Sequence, residues 1–140
     1  MRYSLAILTT IINSTTIAAM VKAARAEAIR QQADIRVVIK TVGCLDMPVI
    51  AQALLMQPHI DGLVVLGAVA QGDTDHDEVV VETMTLTITQ LAVQYRKSVG
   101  FGVIGPGAKR SQFKNRTAEY AKRAVQATVH NIKLLRSEFS

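Results

Sequence analysis

Tryptophan is missing from this 140-residue chain, phenylalanine and tyrosine supply three residues each, proline three and cysteine one. The lone cysteine, Cys44, excludes an intrachain disulfide framework and a cysteine-only metal site, and fits a reducing cytoplasm. The shortage of aromatics weighs against nucleic-acid recognition, which usually interleaves rings with basic side chains. A net charge of +5 would permit such a partner, but eight Lys/Arg against Glu119 alone fall within residues 109–136, as in the solvated face of a basic helix. A long unbroken apolar run is lacking too. Residues 3–21 carry no charge, yet Thr9, Thr10, Asn13, Ser14, Thr15 and Thr16 interrupt them, which argues against a signal peptide or a membrane span. No repeat, linker or low-complexity tail divides the chain. With 49% hydrophobic and 19% charged residues it has the composition to bury a core as one domain, residues 1–140.

What is present is an alternation of short apolar runs with longer helical patterns, the mark of an α/β fold with a parallel sheet covered on both faces. Strands are expected at residues 3–10, 35–41, 63–68 and 99–104, each rich in Val, Ile or Leu because both faces are to be buried. A helix capped by Asn13 or Ser14 runs to about Gln31, with Ile17, Met20, Val21, Ala24 and Ala28 as its stripe. Its remaining faces are alanine-rich, which suggests packing against another chain. A short helix capped by Asp46 starts near Pro48 and ends before Pro58. Residues 83–89 alternate like a strand, but Val80, Met84, Ile88, Leu91 and Tyr95 recur at helical steps, so the longer window favours a helix. Gly105-Pro106-Gly107 is expected to break the chain before a final helix over residues 111–135.

Ligands of an open parallel sheet collect beyond the carboxyl ends of its strands. The segments arriving there are Ile12-Asn13, Gly43-Cys44-Leu45-Asp46, residues 69–76 and the chain from Gly105 onward. The third is the most informative. A hydrophobic run passes through Val69 and Ala70 into a Gly72-Asp73-Thr74 turn, and His76 follows where an acidic helix begins. Small residues let backbone N–H groups approach an anion, Thr74 adds a hydroxyl, and an imidazole exchanges protons near neutral pH. Four of the six residues from Asp73 to Glu78 are acids, so an anion here needs a cation from a distant part of the chain or from another subunit. Cys44 reads as a small packing residue, since no histidine is near it in sequence, and His59 and His130 read as structural or solvated.

In VVLGAVAQGDTDHDEVV and GFGVIGPGAKRSQFKNRTAEYAKRAV the chain resembles the lumazine synthases of riboflavin biosynthesis, above all their short archaeal form. Gly72, Thr74 and His76 match that family's G-x-T-x-H element, and Leu45-Asp46-Met47-Pro48 matches its aromatic-acid-aliphatic-proline loop. The resemblance implies a flavodoxin-like three-layer αβα sandwich with a four-stranded parallel sheet. It also implies condensation of 5-amino-6-ribitylaminouracil with 3,4-dihydroxy-2-butanone 4-phosphate, giving 6,7-dimethyl-8-ribityllumazine, phosphate and water, with neither metal nor organic cofactor. His76 is then the acid/base group, and Gly72, Asp73 and Thr74 line the phosphate turn. Asp46 receives ribityl hydroxyls beside the backbone of Gly43, Cys44 and Leu45, while Val69 and Ala70 hold the pyrimidine edge, with Ile12 and Asn13 facing it. Arg116 matches a phosphate-clamping arginine from the neighbouring subunit, Phe101 a ring from the same neighbour, and Lys122 a further basic position.

The implied partners are therefore small-molecule substrates and further copies of the chain, as a homopentamer or a multiple of it, with no nucleic acid and no membrane. Because the first expected strand begins at Tyr3, little chain is left for an N-terminal extension strand, which weighs against a sixty-subunit shell. Two departures stand out. Ile12 occupies the position of an aromatic that stacks on the pyrimidine, and Leu45 replaces another common ring. These losses admit an alternative, a ring or cage subunit on the same fold with weakened chemistry. A third reading, an archaeal-type riboflavin synthase relative, is disfavoured by the G-x-T-x-H element.

Overall fold

The computed structural model describes residues 2–139. Four parallel strands, β1 (Tyr3–Thr10), β2 (Ala33–Thr41), β3 (Gly62–Ala70) and β4 (Ser98–Ala108), lie in the order β2-β1-β3-β4. Four helices connect and follow them: α1 (Ser14–Arg30), α2 (Met47–Leu55), α3 (His76–Tyr95) and α4 (Phe113–Glu138). The central strands β1 and β3 are buried on both sides, which is why they read as continuous apolar runs.

Alternation along the strands sorts the core into two halves. Leu5, Ile7, Val64 and Leu66 point at the stripes of α1 and α4, including Ile17, Met20, Ala24, Ala121, Val125 and Ile132. Ala6, Leu8, Leu63 and Val65 point at α2 and α3, where Met47, Ala51, Leu55, Met84 and Ile88 cover them. The result is the expected three-layer αβα arrangement. α4 lies so close to β4 that a Cβ on Gly100 would come within 2.2 Å of the Ala124 carbonyl oxygen. Between α1 and α4 sits a buried acid, Glu27. Burial pushes its carboxyl upward, but the amides of Gln31 and Gln126 and the charges of Arg30 and Lys122 outweigh that and hold it below its ordinary value. No helix of the described residues is long and apolar enough to cross a membrane.

The helical period of residues 80–95 prevails over their local alternation, and α3 is one continuous helix. Asn13 occupies the position before α1 but makes no capping hydrogen bond; its backbone is left-handed, at φ 58° and ψ 50°. Asp46 likewise precedes α2 without capping it. The largest difference from the sequence expectation is at Gly105-Pro106-Gly107, which does not end β4. Ladder pairing runs to Ala68 with Ile104 and resumes at Ala70 with Ala108, so three residues of β4 bulge opposite Val69 alone. Gly105 adopts φ +109°, and a Cβ there would meet the Val69 carbonyl oxygen at 2.6 Å, so glycine suits both the conformation and the space.

Candidate active site

Parallel strands deliver their following loops to one edge, and at that edge the described residues form a cavity of about 300 Å³. It is lined by Ile12 and Asn13 after β1, Gly43 to Asp46 after β2, and Val69 and Ala70 at the end of β3. His76, the first residue of α3, stands at its exposed rim, and Val80 one turn later closes the wall. Thr10, Ala68, Val80 and Arg110 complete the lining; these four were not singled out from the sequence.

The wall after β2 is tightly bonded. Asp46 Oδ2 accepts the Gly43 N–H at 2.9 Å, and the Thr41 hydroxyl donates to the Gly43 carbonyl at 2.8 Å. This leaves Asp46 Oδ1 for another donor, since a carboxylate accepts through both oxygens. Cys44 is buried in the same wall, and burial pushes its thiol up to about 11, the opposite of what a nucleophile at neutral pH requires.

Asn13 ties the site together across the chain. Its side-chain amide donates to the Ala68 carbonyl at 2.9 Å, and its amide oxygen accepts from the Arg110 guanidinium at 2.9 Å. The left-handed backbone turns Asn13 away from the helix it precedes and toward the cavity. A polar side chain before a helix is the usual sign of a cap; here a carbonyl of β3 wins the amide instead.

Gly72, Asp73 and Thr74 form an exposed turn beside the cavity rather than part of its lining. The His76 N–H donates to the Thr74 hydroxyl at 3.3 Å, and space is open around Gly72. Both feet of this turn rest on the tail of β4. The Gln71 N–H donates to the Ala108 carbonyl at 2.7 Å, and buried Asp77 accepts the Gly107 N–H at 2.8 Å. One of the four acids near His76 is thus a structural acceptor, whereas Asp73, Asp75 and Glu78 face solvent.

Three candidates lie elsewhere on the protomer. Phe101 is half-buried on β4 against the α2–α3 side of the core. Arg116 and Lys122 belong to α4, in the helical layer across the sheet from α3 and His76, and Lys122 lies near Glu27. The cation within the cavity lining is Arg110, in the short 3-10 turn Arg110–Gln112 that follows β4. Its position immediately after the fourth strand was the available signal.

The family model described as 6,7-dimethyl-8-ribityllumazine synthase matches residues 2–136. A protein of that name from Picrophilus torridus is 38% identical over 84% of this chain and 86% of its own length. One from Methanothermobacter thermautotrophicus is 40% identical over 85% of each chain. One from Sulfolobus acidocaldarius is 43% identical over 73% of this chain and 65% of its own length. With a matching model spanning nearly all its residues and a three-layer fold carrying its loops to one cavity, the chain belongs to the 6,7-dimethyl-8-ribityllumazine synthase family.

Proposed function

We propose that this chain condenses 5-amino-6-ribitylaminouracil with 3,4-dihydroxy-2-butanone 4-phosphate to 6,7-dimethyl-8-ribityllumazine, with His76 as acid/base group. The observation that carries the reading is the convergence of His76, Asp46 and the ends of β1 and β3 on one cavity beside an open turn at Gly72. The first covalent step is attack of the pyrimidine's amine on the ketone, with loss of water to form an imine. Elimination of phosphate from its enol follows, and ring closure with loss of water completes the product. Each step moves a proton, and holding both reactants in one cleft supplies much of the rate. Asp46 receives ribityl hydroxyls through the oxygen that Gly43 does not occupy. The backbone at Val69 and Ala70 meets the pyrimidine's polar edge, and Asp73 and Thr74 hold the phosphate with backbone and hydroxyl donors.

Three exposed acids around the turn oppose a phosphate dianion. A neighbouring copy resolves the conflict by supplying Arg116, whose planar fork matches phosphate oxygens in two parallel hydrogen bonds, along with Phe101 and Lys122. The functional unit on this reading is a cyclic homo-oligomer, a pentamer or a multiple of it, with sites between subunits. Purified protein given both substrates should form the fluorescent lumazine; failure to do so under conditions where the protein is folded would sink the reading.

A further inference from the structure

Among the described residues the cavity lining has no Phe, Tyr or Trp, although a flat heteroaromatic substrate needs a flat partner or a well-placed donor to be held in one plane. Its apolar surface comes from Ile12, Leu45, Val69 and Val80, all aliphatic. Of the planar side chains in this lining, the His76 imidazole serves proton transfer and the Asn13 amide and Asp46 carboxylate are already hydrogen-bonded, which leaves the Arg110 guanidinium as the planar group with unused faces in the same protomer.

Arg110 is built into this position rather than left on a free stem. One of its nitrogens donates to Asn13 Oδ1 at 2.9 Å, and Asn13 is itself fixed by donating to the Ala68 carbonyl at 2.9 Å. The amide is thereby oriented, nitrogen toward the strand and oxygen toward the arginine. No carboxylate pairs with Arg110 among the described residues. A guanidinium carries five N–H donors and two apolar faces, so an edge engaged by Asn13 leaves the faces and the remaining donors for a ligand. Through Asn13, which also bonds the Ala68 carbonyl, this arginine shares the cavity lining with Ala68, Val69 and Ala70 at the end of β3, where the pyrimidine edge is expected.

We propose that Arg110 is a specificity-determining contact for the pyrimidine substrate, its guanidinium serving, in the same protomer as His76, as the planar support that an aromatic ring would otherwise give. This deepens the reading of the preceding section and rests on it. The group responds to the shape and carbonyl oxygens of the ring, not to the phosphate, which the turn at Gly72 and the neighbour's arginine hold on the other side.

The test is titration calorimetry with 5-nitro-6-ribitylaminouracil, whose nitro group cannot condense, alongside steady-state kinetics for both substrates. Arg110→Ala should weaken binding of the nitro compound about tenfold and raise KM for the pyrimidine by a similar factor. KM for the phosphorylated ketone should change less than about twofold. Arg110→Lys, which keeps the charge but loses the plane, should behave like the alanine variant. Ile12→Phe in the Arg110→Ala background should recover most of the affinity by restoring a flat surface. The proposal is overturned by unchanged affinity in Arg110→Ala, by full recovery in Arg110→Lys, or by an equal loss for the phosphorylated ketone. If the wild-type protein neither binds the nitro compound nor turns over, the proposed function fails instead. Arg110 is exposed, so the variants are expected to fold, and circular dichroism checks this.

Discussion

The two walls of the cavity are built by opposite means. The loop after β2 is closed on itself: Asp46 holds Gly43, Thr41 holds Gly43 from the other side, and Cys44 is buried beneath. The turn from Gly72 to His76 is exposed throughout, with a single 3.3 Å side-chain hydrogen bond inside it and open space around Gly72. One wall is shaped before any ligand arrives, as suits a neutral polyol recognised by geometry. On the proposed reading, the other gains its order only when the anion and a neighbouring copy arrive. If that reading holds, assembly acts on the phosphate side and leaves the other wall unchanged.

Breaking the open wall should have the largest effect. His76→Ala should lower kcat about a hundredfold, the low end for loss of a positioned acid/base group, with sedimentation showing the oligomer intact. If kcat barely moves, the imidazole is not the proton carrier. Co-assembling His76→Ala and Arg116→Ala subunits should rescue about one quarter of the sites at random mixing, since each shared site draws one residue from each of two chains. Rescue that never appears in mixed rings would place both groups on one protomer.

Arg116→Ala by itself should raise KM for the phosphorylated ketone roughly tenfold to a hundredfold, the worth of hydrogen bonds to a charged group. The pyrimidine's KM should stay close to wild type. An equal rise for both substrates would remove the distinction between the walls.

Asp77→Ala tests the footing of the open turn. It strands the Gly107 N–H in a partly buried setting, so urea unfolding should register a loss of about 1–3 kcal/mol together with weaker use of the phosphorylated ketone. Unchanged stability would mean that water replaces the carboxylate.

The smallest effect concerns the closed wall. With its thiol pushed up to about 11 by burial, Cys44 should react with iodoacetamide at pH 8 far more slowly in the folded protein than in denaturant. Folding keeps a proton that the unfolded chain releases near its ordinary value of 9.0, so this contribution to stability is complete below that pH and is lost as pH rises toward 11. Fast labelling of the native protein would show that this wall opens.

The layers and all eight elements were legible because long-period patterns report burial. The step pattern of Val80, Met84 and Ile88 outweighed the local alternation, and α3 is a helix because a face of it covers the sheet. Boundaries and bonds that depend on distant residues were not legible. Glycine and proline at positions 105–107 read as a break, yet the strand continues because Ala70 pairs with Ala108 and Asp77, 30 residues before Gly107, accepts its N–H. Asn13 read as a cap because local rules do not contain the Ala68 carbonyl. Arg110 stands in a basic segment whose place after the fourth strand pointed to the site edge without telling it from Lys109 or Lys114; the tertiary bond to Asn13 singles it out.

The way the turn is footed has a practical meaning. Gln71 and Asp77 clasp neighbouring residues of one strand tail, so both ends of the segment between them are anchored by bonds that use none of its own side chains. Exchanging residues 72–75 for sequences of the same length and other charge should therefore leave the layers below intact, which an unchanged urea midpoint would show.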